Sequence, residues 1–210
     1  MPTDYISKTI AVYDQLAQYY ARKTADYAPL PEREKFIQLV PKECKILDAG
    51  CGPGRDSSYF VSQGLQVTGI DLSDKLLEIA RTTAPDVTFL HQDLRHLNFP
   101  PLSFNGIWAC ASLLHLQRAE IFPVLTNFYE VLMPDGILFI MVKSGKGEAD
   151  VKEKLSNNLS RHFTYYETEE LKELINKAQF QLIDIYEWNE KERRKSQRDL
   201  VWISCFAIKI

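Results

Sequence analysis

A glycine-rich turn preceded by an acidic residue is the segment of this sequence best suited to chemistry. The segment ILDAGCGPGRD (46–56) places Gly50, Gly52 and Gly54 at alternate positions, beginning two residues after Asp48. In a strand–loop–helix unit the amide groups at the helix start are free, and glycines let a ligand approach them because no Cβ stands in the way. A nucleotide-like molecule is the usual occupant of such a turn.

Two more carboxylates follow at spacings that extend this ligand site. Asp71 ends the next predicted strand 21 residues after Gly50, about where a carboxylate receives ribose hydroxyls, and Asp93 ends the third strand. Each acid alone is also typical of a helix start or a turn. Because ligands bind beyond the carboxyl ends of the strands in open α/β sheets, all three acids are expected along one edge. The third glycine comes one residue too early for a dinucleotide fingerprint, so a positively charged nucleoside is indicated rather than NAD.

The surrounding sequence alternates between short apolar runs and helical patterns, which is typical of a parallel sheet covered on both faces. The predicted strands are 45–50, 66–71, 87–93, 104–110 and 136–143, and the predicted helices are 53–64, 73–83 with Ser73 as N-cap, and 118–133. Residues 134–136, Pro-Asp-Gly, are predicted to form a turn before the fifth strand.

The last third of the chain has a different pattern. A predicted helix over 168–179 is followed by two predicted strands, 180–189 and 201–210, with no helix between them. Such a hairpin adds one antiparallel strand to an otherwise parallel sheet. Residues 144–167 are polar with late aromatic residues, and they are predicted to form a long loop or a broken helix.

Composition and charge narrow the classes of function. The chain has 210 residues, enough for one α/β domain, and its net charge of -3 gives no global attraction to a phosphate backbone. Its four cysteines have neither C-x-x-C spacing nor a neighbouring histidine cluster, so no metal site and no disulfide framework are expected. We find no signal-peptide pattern and no apolar run of ~20 residues, so we expect a cytoplasmic protein without membrane association.

Three motifs in this order resemble those of one enzyme family. The segments DAGCGPG (48–54), GIDLS (69–73) and HQDL (91–94) are similar to successive motifs of the class I S-adenosylmethionine-dependent methyltransferases. The resemblance covers roughly residues 36 to 143. It implies an α/β fold for 1–210 as a single domain: a Rossmann-like, doubly wound, seven-stranded sheet, mostly parallel with an antiparallel C-terminal strand, and helices on both faces. Residues 1–35 would form an N-terminal helical lid.

The resemblance also implies S-adenosyl-L-methionine as cofactor and assigns it a set of binding residues. The turn residues Gly50, Cys51, Gly52 and Gly54 would shape the site for the methionyl part, and Asp48 would help to hold its amino group. Asp71 would take the ribose hydroxyls. The remaining contacts would come from Leu72, Asp93 and Leu94 at the adenine and from the Ala109 carbonyl at the ammonium group.

Candidate residues for the acceptor side are less specific. Tyr13 and Tyr20 lie seven residues apart, on one face of a helix predicted over 9–27, and they are interpreted either as core or as a cover over the cofactor, with Tyr20 the stronger candidate. His115 follows the fourth strand and could remove a proton from a nucleophile, or could simply pack there. Arg161 and Tyr165 could contact an acceptor, or could pack against the following helix.

Three classes of function remain open at this stage. A small-molecule methyltransferase is favoured by the mildly acidic charge and by the long aromatic segment 144–167, which could enclose a compact acceptor. The cofactor is already activated by its positive sulfur, so neither a metal nor a catalytic triad is needed. A tRNA or protein methyltransferase is the second hypothesis, since the basic run KERRKSQR (191–198) lies in the terminal hairpin and is expected at the ligand edge. The run is equally consistent with a solvated hairpin tip. The third hypothesis is a non-catalytic nucleoside-binding or NAD-binding protein.

Overall fold

The computed structural model describes residues 4–26, 30–194 and 198–210. The helices of these residues are α1 (Asp4–Thr24), α2 (Leu30–Leu39), α3 (Arg55–Ser62), α4 (Asp74–Thr83), α5 (Arg118–Val131), α6 (Thr168–Lys177) and α7 (Glu190–Arg194). The strands are β1 (Lys45–Ala49), β2 (Gln66–Asp71), β3 (Thr88–His91), β4 (Phe104–Cys110), β5 (Leu132–Lys143), β6 (Glu148–Lys152), β7 (Ser160–Thr164), β8 (Phe180–Asn189) and β9 (Val201–Lys209).

The main sheet has seven strands in the order β3-β2-β1-β4-β5-β9-β8. The five strands from β3 to β5 pair in parallel, whereas β9 is antiparallel to both of its neighbours. The strand β8 therefore runs in the same direction as the parallel strands. This arrangement confirms the predicted fold class, including the antiparallel strand contributed by the C-terminal hairpin.

Helices cover both faces of the sheet. Ile107 and Trp108 are neighbours in β4, so their side chains point to opposite faces, and both are fully buried. On one face the indole ring of Trp108 packs against Phe36 of α2 and Phe60 of α3, with ring centroids 5.3 and 5.1 Å away. The buried aromatic cluster fixes α2 and α3 against the strands whose carboxyl ends carry the glycine turn.

The segment predicted as a long loop or broken helix, 144–167, contains a small antiparallel ribbon instead. Strand β6 pairs with β7 from Glu148 opposite Thr164 to Lys152 opposite Ser160. The polar residues of β6 are mostly exposed, while four of the five residues of β7 are buried. Because β7 is covered on both sides, its sequence lacks the alternation by which a half-buried strand is recognised.

Several element boundaries differ from the sequence prediction by a few residues, and two differences concern the start of β5 and the helix α2. Strand β5 begins at Leu132, so the predicted turn at 134–136 is an irregularity within the strand, where Asp135 takes a positive φ of 59°. The helix α2 was not predicted, and the proposed limit of the lid at residue 35 falls inside it. Phe36 of α2 belongs to the core and α1 lines the cavity described below, whereas the division of the chain at residue 35 stays a prediction.

Helix α1 and the β6–β7 ribbon are joined to each other. The amide of His162 donates a hydrogen bond to Thr9 Oγ1 at 3.1 Å, and the rings of Tyr5 and His162 lie 4.9 Å apart. These contacts hold α1 near the carboxyl ends of the parallel strands, where it covers the site described next.

Candidate functional site

A cavity lies at the carboxyl ends of the central strands and is covered by α1. Its walls come from the turn after β1, the ends of β2 and β4, the residues after β3, and the inner face of α1. Most residues predicted to hold the cofactor line it, namely Tyr20, Gly50, Cys51, Gly52, Asp71, Leu72, Asp93 and Leu94. The structure thus brings together residues from five separate segments of the chain at one edge of the sheet.

The three glycines of the turn have different roles. All three adopt a positive φ, at 83° for Gly50, 53° for Gly52 and 80° for Gly54. A Cβ on Gly50 would lie 2.3 Å from the Cβ of Ser112, whereas a Cβ on Gly52 would meet no protein atom within 4 Å. The main chain at Gly52 therefore borders open space in the cavity, as a backbone that receives a ligand requires. Gly54 does not line the cavity, and its close neighbour is Ala80 of α4.

Asp71 is held in a fixed orientation at the cavity wall. Its Oδ2 accepts a hydrogen bond from the Gly52 amide and its Oδ1 accepts one from the Ser73 amide, both at 2.9 Å. Burial raises the pKa of Asp71, and these amide hydrogen bonds oppose that rise. Two oxygens that each accept one amide proton keep free lone pairs, so Asp71 can accept further hydrogen bonds from a ligand.

Asp93 lies at the same edge in a different electrostatic setting. Arg95 donates to both oxygens of Asp93, from Nε to Oδ1 at 3.0 Å and from Nη2 to Oδ2 at 2.6 Å, and also donates to Glu120. Burial raises the pKa of Asp93, but the hydrogen bonds from Arg95 outweigh it and leave that pKa below its usual value. Asp93 is therefore an ionised acceptor whose position Arg95 fixes.

Besides Gly54, two residues predicted to bind the cofactor, Asp48 and Ala109, do not line the cavity. Asp48 is buried behind the glycine turn, where Ser57 Oγ donates to it at 2.6 Å. Burial and the neighbouring Asp56 raise the pKa of Asp48 to about 7. Ala109 stays inside the sheet because β4 continues to Cys110, so the residues that reach the cavity there are one to three positions later in the chain.

Sequence analysis missed one polar residue at this position, Ser112. Its hydroxyl is buried beside Gly50 and has no hydrogen-bond partner among the described residues. A buried hydroxyl without a partner costs free energy unless a ligand or water satisfies it. The signal was the position of Ser112 just after the fourth strand, in the same short segment from which His115 was selected.

Tyr13, Tyr20 and His115 meet at the end of the cavity covered by α1. The rings of Tyr13 and Tyr20 lie 5.0 Å apart in an edge-on arrangement, and the Tyr13 oxygen lies 2.7 Å from Nε2 of His115. Arg161 lies one layer behind, with Nη1 2.6 Å from the Tyr13 oxygen. Tyr165 is not brought to the cavity, because its side chain packs beside Gly145 and its carbonyl accepts a hydrogen bond from Arg118.

The described residues show neither a metal-binding cluster nor a membrane-spanning helix. They contain no group of three or more histidine, cysteine or acidic side chains arranged to hold a metal ion. None of the helices in the described ranges is long and apolar enough to cross a membrane.

Comparison with known proteins agrees with this geometry. Residues 46–136 match a family model described as a methyltransferase domain. The chain is 30% identical over 147 residues to the Bacillus subtilis protein YqeM, which is named as a methyltransferase. The aligned region covers 67% of this chain and 56% of that protein. It is also 30% identical over 142 residues to a Streptomyces fradiae dTDP-3-amino-3,6-dideoxy-alpha-D-glucopyranose N,N-dimethyltransferase, covering 65% and 54%. The chain thus spans little more than half the length of these curated relatives.

Solved structures show the same fold. The Burkholderia thailandensis 1,6-didemethyltoxoflavin-N1-methyltransferase, solved with its substrate and S-adenosylhomocysteine, superposes with a TM-score of 0.72 at 22% identity, over 100% of this chain and 91% of that one. Many further methyltransferases match in sequence and in structure. The chain therefore belongs to the class I S-adenosylmethionine-dependent methyltransferase family, whose cofactor is S-adenosylmethionine.

Proposed function

We propose that this protein is an S-adenosylmethionine-dependent methyltransferase that acts on a small-molecule acceptor. The observation that carries the proposal is that the oriented Asp71 carboxylate, the open main chain at Gly52 and an enclosed corner beneath α1 all border one cavity. The Asp71 carboxylate suits a sugar, the main chain at Gly52 suits a flexible charged tail, and the corner beneath α1 suits a second small molecule.

The residues present fit the cofactor. Asp71 would accept the ribose hydroxyls, Leu72 and Leu94 would flank the adenine ring, and the tail would lie over Gly52 beside the unpartnered Ser112 hydroxyl. When bound, the cofactor supplies a methyl group on a positively charged sulfur. The protein has then to align the acceptor with that methyl group and exclude water.

The corner left for an acceptor is small and largely apolar. Its walls include Ile6, Thr9 and Ile10 of α1 and Leu116 after β4, next to Tyr13 and His115. Helix α1 covers this corner, which favours a compact molecule over a nucleic acid or a protein. In support, the relative from Streptomyces fradiae and the neighbour from Burkholderia thailandensis carry small-molecule acceptors in their names.

Calorimetric titration tests the cofactor assignment and separates the rival functions. S-adenosylhomocysteine should bind and NADH should give no response, whereas the reverse result would support an NAD-binding protein. Asp71→Ala should weaken binding of S-adenosylhomocysteine by about 1 to 3 kcal/mol, because a buried hydrogen-bond partner is lost. Asp74→Ala is the matched control, since Asp74 is a nearby exposed acid that pairs with His91 rather than facing the cavity. Unchanged affinity in Asp71→Ala would contradict the ribose assignment.

Methyl incorporation identifies the acceptor class. The protein with labelled S-adenosylmethionine should label a component of a small-metabolite fraction and leave bulk tRNA and protein unlabelled. Labelled tRNA or labelled protein would contradict the proposed acceptor class while keeping the cofactor assignment. A cytoplasmic location stays a prediction from the sequence.

A further inference from the structure

The acceptor end of the cavity contains a chain of hydrogen bonds whose direction can be worked out. Nδ1 of His115 lies 2.8 Å from the main-chain oxygen of His162. A carbonyl oxygen only accepts hydrogen bonds, so Nδ1 carries the proton and a neutral His115 keeps its lone pair on Nε2. Burial and the nearby Arg161 guanidinium hold the pKa of His115 well below its usual range, so the ring stays neutral.

Tyr13 continues this chain towards the cavity. Its oxygen lies 2.6 Å from Nη1 of Arg161 and 2.7 Å from Nε2 of His115. A guanidinium group only donates, so the Tyr13 oxygen accepts from Arg161 and gives its own proton to Nε2 of His115. Both nitrogens of His115 are then engaged. The Tyr13 oxygen keeps one further lone pair, and Tyr20, which also lines the cavity, is its neighbour there.

We propose that the Tyr13 hydroxyl takes the proton of the methyl acceptor and passes its own proton to Nε2 of His115. This inference rests on the proposed function and specifies the proton path of the same site. Tyr13 and His115 both line the cavity, so an acceptor in the corner beneath α1 can donate to the remaining lone pair of Tyr13.

The step balances without another reactant. The acceptor lone pair forms the bond to the methyl carbon while the carbon–sulfur bond breaks and leaves its electron pair on sulfur. The acceptor proton moves to Tyr13, and the Tyr13 proton moves to Nε2 of His115. His115 becomes an imidazolium ion, which the nearby positive charge of Arg161 disfavours. After the products leave, Nε2 of His115 therefore returns this proton to Tyr13, and Tyr13 passes its other proton to water in the emptied cavity.

Arg161 acts as a positioning residue in this scheme. Its side chain is 3% exposed, its Nη2 donates to Glu153 at 2.7 Å, and its guanidinium carbon lies 5.0 Å from the centre of the Tyr13 ring. It does not line the cavity and therefore acts through Tyr13. By occupying one lone pair of the Tyr13 oxygen, it directs the Tyr13 proton to His115.

The same geometry defines a class of acceptor. The Tyr13 oxygen offers a lone pair rather than a proton to the cavity, so it suits an acceptor that still carries its proton, such as a hydroxyl or an amine. An ionised carboxylate would meet a lone pair instead of a donor at this position.

Nitrogen-15 NMR of histidine tests the hydrogen bonds among Arg161, Tyr13 and His115 before any acceptor binds. The protein is saturated with S-adenosylhomocysteine for this measurement. The expected state of His115 is a proton on Nδ1 and none on Nε2. Tyr13→Phe should shift the Nε2 resonance towards that of a free acceptor. Arg161→Gln should raise the pKa of His115, while Arg161→Lys, which keeps the charge, should change it little. A proton on Nε2 would overturn the proposal even if S-adenosylhomocysteine binds as expected.

Turnover tests the relay itself. The probes are 4-nitrophenol, catechol and aniline, with benzoate as the ionised comparison. On a probe that is methylated, Tyr13→Phe and His115→Gln should each lower kcat by about 100-fold with little change in KM, and the double variant should lose little more. Tyr19→Phe, on the exposed side of the same helix, is the matched control. Full kcat in Tyr13→Phe, or benzoate as the best acceptor, would overturn the proposal; absent binding of S-adenosylhomocysteine would instead defeat the proposed function.

Discussion

At the scale of single residues, Gly50 and Gly52 should respond differently to the same substitution. Gly52→Ala adds a methyl group that meets no protein atom but projects into the cavity, so it should lower the affinity for S-adenosylhomocysteine by at least about tenfold. Gly50→Ala places its Cβ against Ser112, so it should lower the free energy of unfolding by about 1 to 3 kcal/mol through overpacking, besides the cost of a positive φ. Calorimetry and thermal unfolding measure the two effects.

Gly64→Ala isolates the cost of the backbone conformation. Gly64 has a positive φ of 85° and open space around its Cβ position, but it lies at the end of α3 and outside the cavity lining. Gly64→Ala should lower the free energy of unfolding about as much as Gly52→Ala does, and it should leave the affinity for S-adenosylhomocysteine unchanged. Equal affinity in Gly52→Ala and the unmodified protein would show that the ligand does not approach this main chain.

The positions of site residues could be anticipated where local spacing determines geometry, although their binding roles stay predictions. The turn glycines and Asp71 are placed by strand ends and a helix start, and the sequence marks both. Ala109 lies inside β4, whose bounds were predicted, and the cavity is lined there by Cys110, Ala111 and Ser112, so a contact from the Ala109 carbonyl stays a prediction. The contact between Arg161 and Tyr13 joins residues 148 positions apart, and no local pattern encodes it.

At the scale of elements, the attachment of α1 to the sheet edge can be weakened at one carboxylate. Asp14 Oδ1 accepts hydrogen bonds from Ser73 Oγ at 2.6 Å and from the Lys75 amide at 3.2 Å. Asp14→Ala should lower the free energy that holds α1 against the start of α4 by about 1 kcal/mol. We expect faster amide hydrogen exchange in α1 and faster dissociation of S-adenosylhomocysteine, because α1 covers the cavity.

The effect should stay confined to α1. Helix α4 keeps its own cap, since Ser73 Oγ still accepts from the Leu76 amide. Gln18→Ala, at an exposed position of α1, is the control and should leave both rates unchanged. Normal exchange in α1 together with normal ligand dissociation in Asp14→Ala would mean that this contact does not hold the cover.

Elements of the sheet were predictable because buried parallel strands are short, continuous apolar runs between turn residues. The bounds of β2 and β4 agree with the predicted strands residue for residue, as do those of β8, a half-exposed strand at the edge of the sheet. The ribbon β6–β7 and helix α2 were missed because their burial comes from distant partners. Segment β7 is buried by α1, and the apolar pattern of α2 is too weak to show a face of its own.

At the scale of the whole molecule, the basic segment 191–198 decides between a small acceptor and a nucleic acid. The segment follows β8. Because β9 is antiparallel both to β5 and to β8, β8 runs parallel to β5 as predicted, and the segment lies at the ligand edge of the sheet. Among its described residues, Arg193 pairs with Glu32 and Arg198 pairs with Glu190 through two hydrogen bonds of 2.8 Å. Both glutamates are fully buried, so these arginines neutralise the interior of the protein.

Arg193→Ala should therefore reduce stability rather than tRNA affinity. Removing this guanidinium takes a charged partner from the buried Glu32 carboxylate, which keeps the hydroxyl groups of Tyr186 and Ser204 as donors, and should lower the free energy of unfolding by about 1 to 3 kcal/mol. Lys191→Ala, at an exposed position of α7, should change it by less than about 0.5 kcal/mol. Bulk tRNA should show no salt-sensitive binding to the unmodified protein in a filter assay. Tight, salt-sensitive binding that Arg193→Ala abolishes without loss of stability would instead make this edge a nucleic-acid surface.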